Sequence, residues 1–185
     1  MKLLLCSASP RRREFLERLG LTFEVAPAQI DERRGRAEAA LVYVARMARE
    51  KSQSCARPGH VALGADTIVV VGEDVLGKPR DRVDAERMLW LLSGIEHRVV
   101  TAVAVGAESA VVSTSVRFSK LSREQISWLV DSGDGDDKAG AYAAQGLAGV
   151  FIERIEGSFS NVVGLPLLET VRLLEKAGVE LPWKA

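Results

Sequence analysis

The run Ser7-Ala8-Ser9-Pro10-Arg11-Arg12 follows the apolar stretch Leu3 to Cys6 and opens an amphipathic one. A hydroxyl, backbone N–H groups and guanidinium forks therefore converge on a strand-to-helix turn, which is how a polyphosphate is held without a P-loop. The plain alternative is a solvated arginine run on a surface helix. Against it stands the helix dipole: a cation in a first turn costs roughly 0.3–1 kcal/mol, so three arginines there need an anion. A second centre is Asp66, flanked by Ala65 and Thr67 inside Val61-Ala-Leu-Gly-Ala-Asp-Thr-Ile-Val-Val-Val71. A carboxylate within such a strand is costly to bury unless it is paired or binds a metal. Alternation along the strand lets Asp66 face a cleft while its neighbours pack in the core. Its alternative reading is an ion-paired structural aspartate.

Other residues are candidates by position. Lys51 falls near a helix end, Lys78 lies in Gly77-Lys78-Pro79, and Glu32 lies in Asp31-Glu32-Arg33-Arg34; each alone also reads as a surface charge. In Asp137-Lys-Ala-Gly-Ala-Tyr-Ala-Ala-Gln-Gly146, small residues around Tyr142 and Gln145 would let the backbone approach a flat ligand closely. The alternative is a tight loop with packing alanines. The acidic run Asp131 to Asp137 reads as a solvated loop, and Trp90 and Trp128 read as core residues on helices.

These residues need elements to hold them. Leu3 to Cys6 reads as a short buried strand. A helix follows, with Ser9 as N-cap, Pro10 in its first turn and Gly20 at its end, burying Phe15, Leu16 and Leu19. A second helix spans Ala37 to Ala56, with Leu41, Val44, Ala45 and Ala48 inward. The strand ending at Val71 turns through Gly-Glu-Asp into Val75 to Pro79, and a third helix runs from Asp84 to Gly94. The alternating runs His97 to Val105 and Ala110 to Phe118 read as an antiparallel hairpin. Ser122 to Gln125 is a capping box for a fourth helix. A strand over Val150 to Ile155 and a last helix over Pro166 to Ala177 complete the pattern. The fold class is α/β with a mixed sheet flanked by helices.

Composition limits the function. Of 185 residues, 47% are apolar and 27% charged, which fits one globular domain, or two small lobes, and excludes a disordered chain or coiled coil. Twenty-five basic and 25 acidic residues give zero net charge, which argues against a general nucleic-acid binder or a polybasic membrane protein. No apolar run reaches the roughly 18 residues of a membrane span, and Met1 to Arg13 does not read as a signal peptide. Two cysteines, Cys6 and Cys55, suit a reducing compartment, so the expected location is the cytoplasm. The two histidines, His60 and His97, are far apart, and no CxxC, HExxH, GxxxxGKS/T or GxSxG motif is present. Any metal must be held by carboxylates, which points to Mg²⁺ or Mn²⁺.

Six collinear segments resemble the Maf family of nucleoside triphosphate pyrophosphatases: SASPRRREFLERLG, ARMAREKS, LGADTIVVV, VLGKPRD with MLWLLSG, DKAGAYAAQG, and GSFSNVVGLPL. They cover about residues 3 to 175. The resemblance implies one Maf-like domain over residues 1–185 with two sub-lobes around a central cleft, commonly a homodimer. It also implies metal-dependent hydrolysis of nucleoside triphosphates to monophosphate and pyrophosphate. Position by position, it assigns Ser7, Arg11, Arg12, Lys51 and Lys78 to triphosphate binding. It makes Asp66 the catalytic proton acceptor and Glu32 an acidic residue helping to hold the metal, with Asp66 a second metal candidate. Arg11, Thr67 and Gln145 match the subgroup acting on dTTP and UTP; the sister subgroup acting on 7-methyl-GTP has tryptophan, glutamine and glutamate there. The chain departs from the family pattern at Ser132 to Gly135, where SGDG replaces SGEP, and at Ala143-Ala144, which replaces glycine-isoleucine. The expected function is dTTP and UTP pyrophosphatase, with modified pyrimidine triphosphates as further substrates. The competing readings are a 7-methyl-GTP or broad-specificity hydrolase and a nucleotide-binding division regulator without turnover.

Overall fold

The computed structural model describes residues 1–184. In chain order the elements are β1 (Lys2–Leu5), α1 (Pro10–Arg18), β2 (Phe23–Val25), α2 (Ala40–Ser54), β3 (His60–Val71), β4 (Asp74–Leu76) and α3 (Arg82–Leu92). They continue with β5 (Glu96–Val105), β6 (Glu108–Phe118), α4 (Arg123–Asp131), β7 (Ile152–Glu156), α5 (Phe159–Val163) and α6 (Leu167–Lys176). The strand order is β2-β1-β3-β5-β6-β7, with β4 also paired to β3. β1 pairs parallel with both β2 and β3, whereas β3–β4 and β6–β7 are antiparallel, so the sheet is mixed as the sequence implies. Only Gly106 and Ala107 separate β5 from β6, too short a link for a parallel crossover, and the expected hairpin results.

The chain divides into two compact units. The first comprises residues 1–66, 101–112 and 164 onward; the second comprises 67–100 and 113–163, so one boundary falls between Asp66 and Thr67. The first unit packs Leu3, Leu5, Leu16, Leu63, Val103, Leu165 and Leu174 into its core. The second packs Leu89, Leu92, Phe118, Ile126 and Tyr142. No helix among the described residues is long and apolar enough to cross a membrane.

Several local expectations need correction. Ser9 occupies the N-cap of α1 without capping it through its side chain; its backbone N–H donates to Ser7 Oγ. α2 begins at Ala40 and α3 at Arg82, the latter capped by the Asp81 carboxylate accepting from Asp84 N. Leu41 is exposed on α2, and Trp90 and Trp128 are each nearly half exposed rather than core. Trp128 instead rests edge-to-face on Phe151, with centroids 6.2 Å apart. Residues 147–151 form a 3₁₀ turn, so β7 starts later than the apolar pattern suggests. The acidic run is not purely solvated: Asp131 pairs with Arg82, and Asp134 accepts from Leu147 N at 3.1 Å. The Ser122–Gln125 capping box is present in both directions.

Candidate active site

In the first unit, Leu4 on β1 pairs with Ala62 on β3, and alternation puts Ala62, Gly64 and Asp66 on one face of the strand. α2 lies against that face: Ser52 Oγ donates to Ala62 O at 2.9 Å. A Cβ on Gly64 would fall 2.2 Å from Ala48 O and 2.4 Å from Ser52 N, so only glycine permits this approach. The close crossing carries Lys51 to Asp66. Lys51 Nζ lies 2.6 Å from Asp66 Oδ1, and the two side chains are only 10% and 11% exposed. Glu32 Oε1 meets the same ammonium at 2.9 Å, with its own side chain 55% exposed. One buried cation thus gathers a buried carboxylate and a half-exposed one. Lys51 is no surface lysine, and the reading of Asp66 as ion-paired describes its present geometry.

Arg12 is also buried. Its Nε donates to Gly164 O at 2.9 Å, and its Nη1 donates to Ala65 O at 2.8 Å and Ser7 Oγ at 3.1 Å. The arginine run is therefore not uniformly solvated, and what offsets it is specific. Arg13 pairs with Glu17 one turn along the helix, while Arg12 is met by two carbonyls and the charge of Asp66. Burial pulls the Arg12 pKa down and Asp66 pushes it back up. The result is a brace: Arg12 fixes the Ser7 hydroxyl and the carbonyl next to Asp66 in one frame. Arg11 is half-buried in the same first turn.

The segment bearing Glu32 is fastened to α2 through its backbone. Tyr43 Oη donates to Glu32 O at 2.7 Å, and Arg46 Nη2 donates to Arg33 O at 3.1 Å. Arg46 also grips Glu38 with two bonds of 2.7 Å and reaches Glu50 at 3.2 Å. Hydrogen bonds from Arg46 hold the Glu38 carboxyl down at about 2. Burial, followed by the charges of Asp66 and Glu32, pushes the Tyr43 phenol up to about 12. Tyr43 and Arg46 stand one turn apart on α2, a pair the sequence reading passed over.

Thr67, Lys78 and Gln145 belong to the second unit. Thr67 is half-buried on β3, whereas Lys78 and Gln145 are exposed. Gly140 N donates to Gly77 O at 3.0 Å, which joins the backbone beside Lys78 to the segment that leads to Gln145. Gly140 has φ +75°, and a Cβ there would press on Val69 at 3.0 Å. Tyr142 is buried, and its hydroxyl lies 2.8 Å from His97 Nε2, with Phe118 packed edge-to-face on both rings. Burial pushes His97 down to about 4, so it is neutral near pH 7. The sequence reading used His97 only to exclude zinc; its place on the buried face of β5 was the available signal.

The fit of a divalent metal rests on the donor set. Among the described residues no group of three or more histidine, cysteine, aspartate or glutamate side chains converges. Asp66 and Glu32 do converge, as two hard oxygen donors on one ammonium. Two carboxylates completed by substrate phosphates and water suit Mg²⁺, which rarely takes an all-protein cage.

Comparison with known proteins identifies the family. Residues 2–177 match the family model described as Maf-like protein. A protein of Anaeromyxobacter dehalogenans (strain 2CP-1) named dTTP/UTP pyrophosphatase is 53% identical over 191 residues, covering 99% of this chain and 97% of that protein. Proteins of the same name from Myxococcus xanthus and Vibrio cholerae are 53% and 48% identical, covering 99% and 95% of this chain and 96% and 97% of their own lengths. The chain belongs to the Maf family.

Proposed function

We propose that this chain is a nucleoside triphosphate pyrophosphatase that hydrolyses dTTP and UTP to the monophosphate and pyrophosphate. The observation that carries the reading is the buried Lys51–Asp66 pair with Glu32 on the same ammonium. Full-length relatives near half identity bear the name dTTP/UTP pyrophosphatase, and the triad Arg11, Thr67 and Gln145 fits that subgroup.

Asp66 is the proton acceptor. Lys51 engages its Oδ1, which leaves Oδ2 to take a proton from the attacking water. Attack at the α-phosphorus puts the water oxygen on the monophosphate and expels pyrophosphate. Ser7, Arg11, Arg12, Lys51 and Lys78 bind the triphosphate, and their charge-assisted hydrogen bonds strengthen as negative charge develops. Arg12 acts largely by bracing Ser7 and Ala65, since its fork is already engaged there. A Mg²⁺ or Mn²⁺ ion held by Asp66, Glu32 and phosphate oxygens would neutralise charge on the triphosphate. Gln145 offers an amide donor and acceptor for a pyrimidine edge.

The test is pyrophosphate release from a nucleotide panel, with and without EDTA. The expected result is metal-dependent release of pyrophosphate from dTTP and UTP, in preference to 7-methyl-GTP. Faster hydrolysis of 7-methyl-GTP would overturn the specificity, and undiminished turnover in EDTA after metal stripping would overturn the metal.

A further inference from the structure

The two cysteines take no part in the activity proposed above, yet both border residues assigned to it. Cys6 immediately precedes Ser7, and Cys55 caps α2 one turn beyond Lys51. Leu4 and Cys6 point to the face of β1 that α2 covers, together with Ala62, and Cys55 packs against this cluster. Ser52, three residues earlier on α2, bonds Ala62 O on the same face. Cys55 Sγ donates to Ala26 O at 3.0 Å, and Ala26 N donates to Leu5 O at 2.9 Å, so Cys55 is fastened beside the backbone next to Cys6. Cys55 therefore borders the buried cluster that holds Cys6. Cys6 is fully buried and Cys55 half-buried, and both are free thiols.

We propose that Cys6 and Cys55 form an oxidation site, converted by peroxide to an intramolecular disulfide that weakens triphosphate binding at Ser7 and Lys51. The half-buried Cys55 reacts first. Its thiolate sulfur attacks one peroxide oxygen, the O–O bond breaks, and Cys55 sulfenic acid forms while the leaving hydroxide takes up the proton that the thiol lost, giving water. The Cys6 sulfur then attacks the sulfenic sulfur; the S–S bond forms, the S–O bond breaks, and the leaving hydroxide takes the Cys6 proton as a second water. Two thiols lose two electrons and one peroxide gains them. Burial, with the neighbouring Cys55 second, raises the Cys6 thiol well above its ordinary value. Cys6 is thus a poor first target and a resolving partner that works by proximity. Forming a sulfur–sulfur bond of about 2.05 Å draws the end of β1 and the end of α2 together.

The effect on turnover rests on the function proposed above; the disulfide itself does not. The experiment treats the whole protein with hydrogen peroxide, then measures intact mass, alkylation of thiols after unfolding, and steady-state dTTP hydrolysis before and after dithiothreitol. The expected result is loss of two hydrogens, protection of both cysteines from alkylation, and full reversal by reductant. KM for dTTP should rise about tenfold in the oxidised form, since displacing a gripping group by about 1 Å can cost up to about a hundredfold. Cys55→Ser and Cys6→Ala should each abolish the loss of two hydrogens and the KM shift, with Cys6→Ala instead gaining oxygen at Cys55. A persistent Cys55 oxide with Cys6 still alkylatable would overturn the disulfide. A verified disulfide with unchanged KM would overturn its coupling to the site. If the reduced protein hydrolyses no dTTP, the functional reading has failed, while mass and alkylation still decide the disulfide.

Discussion

The two units bury polar groups in opposite ways. In the first, Arg12, Lys51 and Asp66 are buried as ions, and Lys51 and Asp66 have each other as close partners. In the second, the deeply buried polar groups His97, Thr114 and Asn161 are neutral: His97 meets Tyr142, and Asn161 Nδ2 donates to Val99 O at 3.0 Å and Thr114 Oγ1 at 2.9 Å. The buried carboxylate of the second unit, Asp84, is held by Arg80 and Arg87, whose own side chains are more than half exposed, whereas the Lys51 partner of Asp66 is itself buried. Neutral polar groups need only their hydrogen bonds, whereas a buried ion pair often adds less stability than well-packed apolar residues would. The first unit therefore carries charge where stability alone does not require it. That is the physical ground for placing chemistry there.

The contrast can be broken by substitution. The largest effect is expected for Lys51→Met, which leaves the Asp66 carboxylate buried without its cation and should cost about 3–5 kcal/mol in denaturant unfolding. The double substitution with Asp66→Asn should recover much of that loss; equal losses for single and double variants would mean the pair is not coupled. Next comes pH. His97 has a folded pKa of about 4 against an ordinary 6.5. Between those values the unfolded chain binds a proton that the folded chain refuses, so stability falls as pH falls. The total is about 3 kcal/mol, fully present above pH 6.5 and lost by about pH 4. Subtracting the unfolding profile of His97→Gln from that of the parent should isolate this slope, and identical profiles would show that His97 titrates normally. The smallest effect is expected at Trp90, half exposed on α3. Trp90→Ala should cost about 1 kcal/mol, well under the roughly 3–5 kcal/mol of a core tryptophan; a core-sized loss would restore the reading taken from the sequence.

Much of this was legible because the informative residues are punctuators and charges. Pro10, the Ser122–Gln125 box and the alternation of β5 and β6 specify local geometry within a few residues, and all three appear in the structure. The family segments located Asp66 and Lys51, the resemblance assigned Glu32, and the structure brings these three together. What the sequence could not give depends on distant partners. Arg12 turns inward because Gly164 and Ala65 supply carbonyls from far along the chain. β2 and α5 were missed because three and five residues carry too little periodicity to register. Trp90 and Trp128 were misplaced because helical spacing alone does not say which face of a short helix is covered.

The central claim is that Asp66 is charged and buried for chemistry rather than for stability, and Asp66→Asn tests it most directly. Glu32 remains to hold the Lys51 ammonium, and the amide keeps the shape of the carboxyl while losing the base. With dTTP, kcat should fall at least about a hundredfold, the lower bound of general-base catalysis. Tm and the binding of a non-hydrolysable triphosphate analogue, measured on the same preparation, should change little. A variant that is clearly destabilised yet turns over at the parental rate would remove Asp66 from the mechanism and make the buried pair structural.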